Sequence, residues 1–342
     1  MPRGRVSEQV LLTGIKQGAG KSVSVAFGSG KGKGNGNGKK KGKPGKSTKK
    51  ASRGPGSTLA CWDAFSPAHL PLPRAVAPYT IIRTTAIWDP DNDDQRRFCL
   101  FGPHISTSHD AGQWNSYYAM SANQAMTGVT LGSTNGATHW AFDSMTSHSW
   151  DAASVTPASF SIQVMNPEAL QTSHGMLYMG RCHNKVHVAE SDLSRTWYDI
   201  ATDLVSYSNP RLCSAGKLAL RGVQVDAVPN NMSELAKFTS LDQHKDEDFT
   251  LSSGNSIHGE GFNPIFLYNP DAVKVQVLVC CEWRVRFDPS NPAYAACRSH
   301  RPASDGQWWE TMNKATALGS GVVDIAERVA QLGKAAAPLL AN

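Results

Sequence analysis

The chain has 342 residues, with 34 Lys or Arg against 28 Asp or Glu and a net charge of +6. The charge is divided: residues 1–58 carry 14 basic residues against one acid, Glu8, so they hold +13 and residues 59–342 hold −7. The composition argues against a membrane-embedded chain, since no run reaches about 18 apolar residues. It also argues against a disulfide scaffold, since the cysteine count of seven is odd and no pair shows C-x-x-C spacing.

The first 58 residues form a basic arm: Arg3, Arg5, Lys16, Lys21, Lys31, Lys33, Lys39, Lys40, Lys41, Lys43, Lys46, Lys49, Lys50 and Arg53. From Gly28 to Gly56 the arm is nearly all Gly, Lys, Ser, Asn and Pro. It lacks the apolar area to offset its chain entropy, so a disordered arm is expected. A cationic segment of this kind binds polyanions by counterion release, without a fold or a sequence preference. Val10-Leu11-Leu12 is too short for the apolar core of a signal peptide. Gly14 to Ser22 mimics a phosphate-binding loop, but five residues separate Gly14 from Gly20, Ile15 stands where glycine is needed, and no strand precedes it.

The remaining chain reads mostly as β. Tyr79 to Trp88 is rich in Thr, Ile and aromatics and stops at Asp89-Pro90. Arg97 to Phe101 follows an acidic turn, which suggests a hairpin. Asp89, Asp91 and Asp94 in that turn are candidate ligands for Ca²⁺, which accepts irregular oxygen shells. The competing reading is a solvated turn neutralised by Arg96 and Arg97. Beyond this Ca²⁺ no cofactor is expected.

Further along, Phe160, Ile162 and Val164 alternate with polar residues, and Gly175 to Arg181 is a short apolar run. Leu193, Trp197, Ile200 and Leu204 have helical spacing, with Ser191 or Asp192 as cap and Asn209-Pro210 as stop. In Leu218 to Val228 the apolar phase shifts at Gly222, which suggests a strand with a β-bulge. Val273 to Phe287 is apolar at every odd position, which predicts a long strand with one buried and one wetter face. Fifteen residues would span roughly 50 Å at about 3.3 Å each, so a bend or break is expected. Near the end, Val322, Ile325, Val329 and Leu332 line one face of an expected amphipathic helix over 321–333. Its apolar face is too small to hold an isolated helix in water, so it must pack on another surface.

Little of this points to catalysis. The eleven histidines are scattered, His183 and His187 included, and no H-E-x-x-H, G-x-S-x-G or paired-carboxylate pattern occurs. Asn231-Met232-Ser233 is a glycosylation sequon by letter only. Long strands with Gly- and Pro-rich connections argue a β-sandwich or barrel.

The order of basic arm, β body and C-terminal extension resembles the coat proteins of small icosahedral viruses, in particular the nodavirus-like single jelly-roll group that includes bacilladnavirus-like capsid proteins. Three stretches carry the resemblance: Asn209 to Gly222 running on to Val228-Pro229, Cys281 to Pro289 with Pro302-Ala303-Ser304 after it, and Gly321 to Glu327. The resemblance implies an all-β, eight-stranded antiparallel jelly roll with a helical C-terminal extension and no enzymatic turnover. It implies a virion protein that self-assembles into an icosahedral shell around a single-stranded genome, made in the host cytoplasm or nucleus, with a host membrane or receptor met at entry. The corresponding divisions are 1–58 for the arm, 59–300 for the shell domain and 301–342 for the extension. With T=3 symmetry, common in the group, about 180 copies would bring about 2,300 positive charges to the genome. Self-cleavage after a C-terminal Asn is not expected, since the sequence ends at Asn342. The alternative is a cellular β-sandwich protein with a nucleic-acid tail.

Overall fold

The computed structural model describes residues 62–66, 69, 72, 74–90, 96–107, 113–122, 137–146, 153–183, 186–187, 196–229, 234–241, 256–257, 261–317 and 321–325. The basic arm, Asp91, Asp94, Asn231 and residues 326–342 lie outside them. In chain order the strands are β1 (Thr80–Trp88), β2 (Phe98–Thr107), β3 (Gln113–Ala122), β4 (Ala137–Thr146), β5 (Ser154–Met165), β6 (Met176–Arg181), β7 (Val186–His187), β8 (Arg211–Ser214), β9 (Val223–Asp226), β10 (Thr239–Ser240), β11 (Ser256–Ile257), β12 (Ile265–Tyr268), β13 (Gln276–Arg286) and β14 (Val322–Asp324). The helices are α1 (Trp197–Tyr207), α2 (Ala215–Arg221) and α3 (Asp305–Ala317).

Two antiparallel sheets face each other. The first runs β1-β13-β5-β9-β14, with β10 added to β5; the second runs β4-β3-β2-β12-β6-β8. The pairing is nested: β1 with β13, β2 with β12, β5 with β9, and β6 with β8. Alternate nested pairs fall in opposite sheets. A chain doubled back on itself and then rolled gives this order, which is the eight-stranded jelly roll. The β3–β4 hairpin extends the second sheet and β14 extends the first. β1 and β2 do not form the expected hairpin. They pair with β13 and with β3 and β12, in different sheets.

β13 is the centre of the first sheet. Val275, just before it, and Val277, Val279, Cys281, Trp283 and Val285 within it point into the sandwich and are buried. The expected break is a β-bulge: Glu282 faces Ser159 but Trp283 faces Pro157, so Ala158 of β5 has no opposite residue. Trp88 meets Phe101 edge-on across the core at 5.3 Å.

The middle of the second sheet, β2 and β12, is buried on both faces. Cys99, Phe101, Ile265 and Leu267 enter the sandwich core, while Phe98, Leu100 and Phe266 face outward under Trp197, Ile200 and Ala201 of α1. Two-sided burial explains why Phe98-Cys99-Leu100-Phe101 is apolar without alternation. The helical spacing of Trp197, Ile200 and Leu204 therefore does pack α1 on the body. Its cap is Thr196 rather than Ser191 or Asp192, which lie outside the described residues. The Asp199 N–H donates to Thr196 Oγ1 at 3.3 Å, and the Thr196 N–H donates back to Asp199 Oδ2 at 2.8 Å.

Two expectations change type. Leu218 to Val228 is not one bulged strand: Ala215–Arg221 is helical, Ser214 caps it, and strand resumes at Val223. Gly222 makes the switch at φ 60° and ψ 174°, a region open essentially to glycine. Of the helix expected over 321–333, the first turn is strand, Ile325 is helical, and residues 326–333 lie outside the described residues. Val322–Asp324 pairs with β9 instead, because the edge of β9 offers ladder hydrogen bonds that a short helix could not match. A helix of the C-terminal extension that the sequence reading did not mark lies earlier, at Asp305–Ala317, with Trp308 in the core.

Burial sets the cysteine chemistry. Cys99, Cys182, Cys213, Cys280 and Cys281 are buried free thiols, and burial raises each well above its ordinary range or clearly from it. These five should resist a thiol-labelling disulfide reagent at pH 8 in the native protein and react in guanidinium; mass spectrometry of the labelled peptides reads the result.

Val277→Asp tests the strand register. It loses about 2 kcal/mol of burial and sets an unpaired carboxylate between Val164 and Trp88, worth several kcal/mol more. The sum approaches a typical total stability of about 5–15 kcal/mol. Circular dichroism and solubility should show an unfolded or insoluble product.

Candidate functional site

The site is the outer face of the first sheet, where the chain emerges from the basic arm. Alternation points Ser159, Ser161 and Gln163 of β5, Gln224 and Asp226 of β9, Cys280, Glu282 and Arg284 of β13, and Arg83 of β1 away from the sandwich. The sequence marks this as the wetter face, yet Ser161, Gln224, Cys280, Glu282 and Arg284 are buried. What covers them includes residues 62–66 and His69; the first of these comes four residues after Thr58.

Hydrogen bonds fix that segment. The Ala64 N–H donates to Ser161 Oγ at 3.0 Å, and Ser161 Oγ lies 2.8 Å from Asp226 Oδ1. Asp226 Oδ1 also accepts from Gln224 Nε2 at 2.8 Å, and Gln224 Oε1 accepts from Gln163 Nε2 at 3.0 Å. The Ala64 carbonyl accepts from Cys280 Sγ at 3.4 Å. A turn closed by Asp63 on Phe65 and Ser66 then sends the Ser66 carbonyl to Arg83 Nη2.

A charge cluster holds the next step. Glu282, 2% exposed, takes Arg83 Nη2 at 3.0 Å on one carboxylate oxygen and His69 Nδ1 at 2.9 Å on the other. Both partners are a third or more exposed, so each pairing is worth less than a fully buried one. The geometry still satisfies both oxygens of a desolvated carboxylate, whose burial alone would be costly. Arg284 is fully buried and donates to the Pro157 and Leu235 carbonyls at 3.2 and 3.3 Å. Burial lowers its basicity, and Tyr79 and Glu282 oppose that.

At the opposite edge, β14 is tied down by charge. Asp324 Oδ1 meets Lys217 Nζ at 2.8 Å and Arg211 Nη2 at 3.2 Å, and Arg211 Nη1 donates to the Val322 carbonyl at 2.9 Å.

The sequence-predicted site residues are placed unevenly. The fourteen basic residues of the arm lie outside the described residues. Of the acidic turn only Asp89 is described; its Oδ2 faces Gln276 Nε2 at 3.4 Å. Arg96 and Arg97 donate to the Pro90 and Pro270 carbonyls at 2.9 and 2.7 Å. Among the described residues no three His, Cys, Asp or Glu gather in a metal-binding group. His183 is exposed, and no described helix is long and apolar enough to cross a membrane. Sequence reasoning missed Ser161, Asp226, Glu282, Arg83 and His69. The available signal was the polar half of the 273–287 alternation, which reads the same whether water or another segment covers it.

The chain matches no protein-family model and no curated protein. Its solved structural neighbours include infectious bursal disease virus, Gt strain, at 8% identity over 76% of this chain and 93% of that one, with a TM-score of 0.44. They include the decameric BFDV capsid protein, at 8% identity over 62% and 98%, TM-score 0.24. Mud crab dicistrovirus is a third, at 9% identity over 64% and 72%, TM-score 0.23.

The anchoring hydrogen bond at Ser161 is directly testable. Ser161→Ala removes the acceptor for the Ala64 N–H, a loss of about 1–1.5 kcal/mol. Hydrogen exchange at the Ala64 amide should quicken about tenfold, while the amides of β13 keep their protection.

Proposed function

We propose that this chain is a viral capsid subunit that assembles into an icosahedral shell and gathers a single-stranded genome with its basic arm. The observation that carries the reading is the conjunction of a nested, rolled strand order with a +13 arm whose root is pinned to one sheet face. A shell subunit needs those two parts. One is a rigid body that can repeat by symmetry; the other is a polycation delivered to a fixed side of it. A body of net charge −7 does not itself supply the second part, which is why the arm does.

The reading extends to a virion location and to T=3 closure with about 180 copies. The mass of the purified native protein tests assembly by sedimentation or light scattering: a closed shell of megadalton size supports it, and a monomer at all concentrations overturns it. Deleting residues 1–58 tests packaging. The truncated protein should keep its β spectrum and still sediment as particles, but their 260/280 nm absorbance ratio should drop to that of protein alone. A ratio equal to that of the full chain would remove the arm from the reading.

A further inference from the structure

Where β13 ends and β1 begins, cations collect on the surface. The Tyr79 N–H donates to the Arg298 carbonyl at 3.1 Å and the Arg298 N–H donates back at 3.0 Å; the Ala303 N–H donates to the Leu72 carbonyl at 2.9 Å. The runs 72–79 and 298–303 therefore lie side by side. Between the tie-points they present Arg74 on one run and Arg298, His300 and Arg301 on the other, all exposed.

Flat side chains back these cations. The His300 ring stacks on Tyr79 with centroids 3.9 Å apart and 13° between planes, and its Nε2 lies 3.1 Å from the Tyr79 carbonyl. The Arg286 guanidinium sits 3.6 Å over the Phe238 ring, and Phe238 lies 6.0 Å from Tyr79. Tyr79 is buried, so His300 leaves one ring face outward. Two acids of this region are already engaged: Glu282 with Arg83 and His69, and Asp288 with the N–H and hydroxyl of Ser290. His300 is held below the ordinary imidazole range, first by burial and then by the charges of His69, Arg284 and Arg298, while the Tyr79 carbonyl opposes this. The charges that act on His300 are positive, on a body that is negative overall.

We propose that this patch is a second contact site for single-stranded nucleic acid, with Arg74, Arg298 and Arg301 on phosphates and a base stacked on the outer face of His300. Guanidinium groups match phosphate oxygens in paired geometry. A base stacks on any flat π-face without regard to sequence. The patch also lies near the arm root, since His69, held there by Glu282, is close enough for its charge to act on His300. A strand gathered by the arm arrives next to it. The inference rests on the genome-packaging reading.

The full-length protein decides it, using a 20-nucleotide oligouridine carrying 4-thiouridine. Wild type is compared with Arg74→Gln/Arg298→Gln/Arg301→Gln, whose exposed positions leave the fold alone, and with His300→Ala. Anisotropy titrations over a salt series should show the slope of log K against log salt falling by about 2 in the triple variant, at about 0.7 per lost phosphate contact. Ultraviolet cross-linking should place an adduct on the wild-type peptide containing His300, and His300→Ala should lose it while keeping the slope. An unchanged slope with adducts confined to residues 1–58 overturns this inference and leaves the packaging reading standing. No oligonucleotide binding by the wild type overturns both. Heparin binding lost in the triple variant, with no nucleotide adduct at the patch, assigns the site to another polyanion and overturns it as well.

Discussion

The pairing of β13 with β1 on one side and β5 on the other is the constraint on which the rest of the molecule depends. It joins one of the earliest described segments to one of the last ordered strands, with Thr80 opposite Val285 and Trp88 opposite Val277. Only when that ladder is in place does the first sheet have a continuous apolar face for the second to cover. The alternation within β13 makes the ladder specific. A slip by one residue would turn Val277, Val279 and Trp283 outward and drive Lys274, Glu282 and Arg284 into the sandwich. The same ladder aligns Glu282 with Arg83 and so builds the anchor on the opposite face.

How far the sequence foretold this depends on how many faces of each segment are covered. In β5 and β13 alternation marks one apolar face, whereas β1 was marked by its Thr, Ile and aromatic content and β6 as a short apolar run. β2 and β12 are covered on both faces, so their period disappears, and residues 97–101 misread as a hairpin arm. Around Gly222 the change of apolar phase was visible, but a bulge and a helix-to-strand junction produce the same shift. The Ser214 cap, three residues before the Lys217 amide it accepts from, was the distinguishing mark. At Val322 to Asp324 an unpaired edge of β9 took up residues that helical spacing had assigned to a first turn, and helix starts only at Ile325.

The candidate site divides along similar lines. Net charge is additive over sequence, so the arm stands out at once. The root is built from partners such as His69 and Glu282 or Ala64 and Ser161, far apart in the chain and brought together only by the roll. Nothing local distinguishes them from ordinary polar positions of a half-exposed strand. The basic patch around His300 is masked for a further reason: its arginines are averaged into a body whose total is negative. Charge sums describe long-range fields, whereas contacts of a few ångströms are governed by which groups share one surface.

The long separation between β1 and β13 also has a meaning in time. A chain made from its N-terminus at about 5–20 residues per second leaves β1 without its ladder partner for roughly 10–40 s after it is synthesised. Throughout that interval Ile81, Ile82 and Trp88 have no sheet to bury them, while the polycationic arm ahead of them is already complete. Topology thus fixes an order of events on the ribosome: the polycationic part of the chain precedes, by the length of nearly the whole body, the moment at which the body can close.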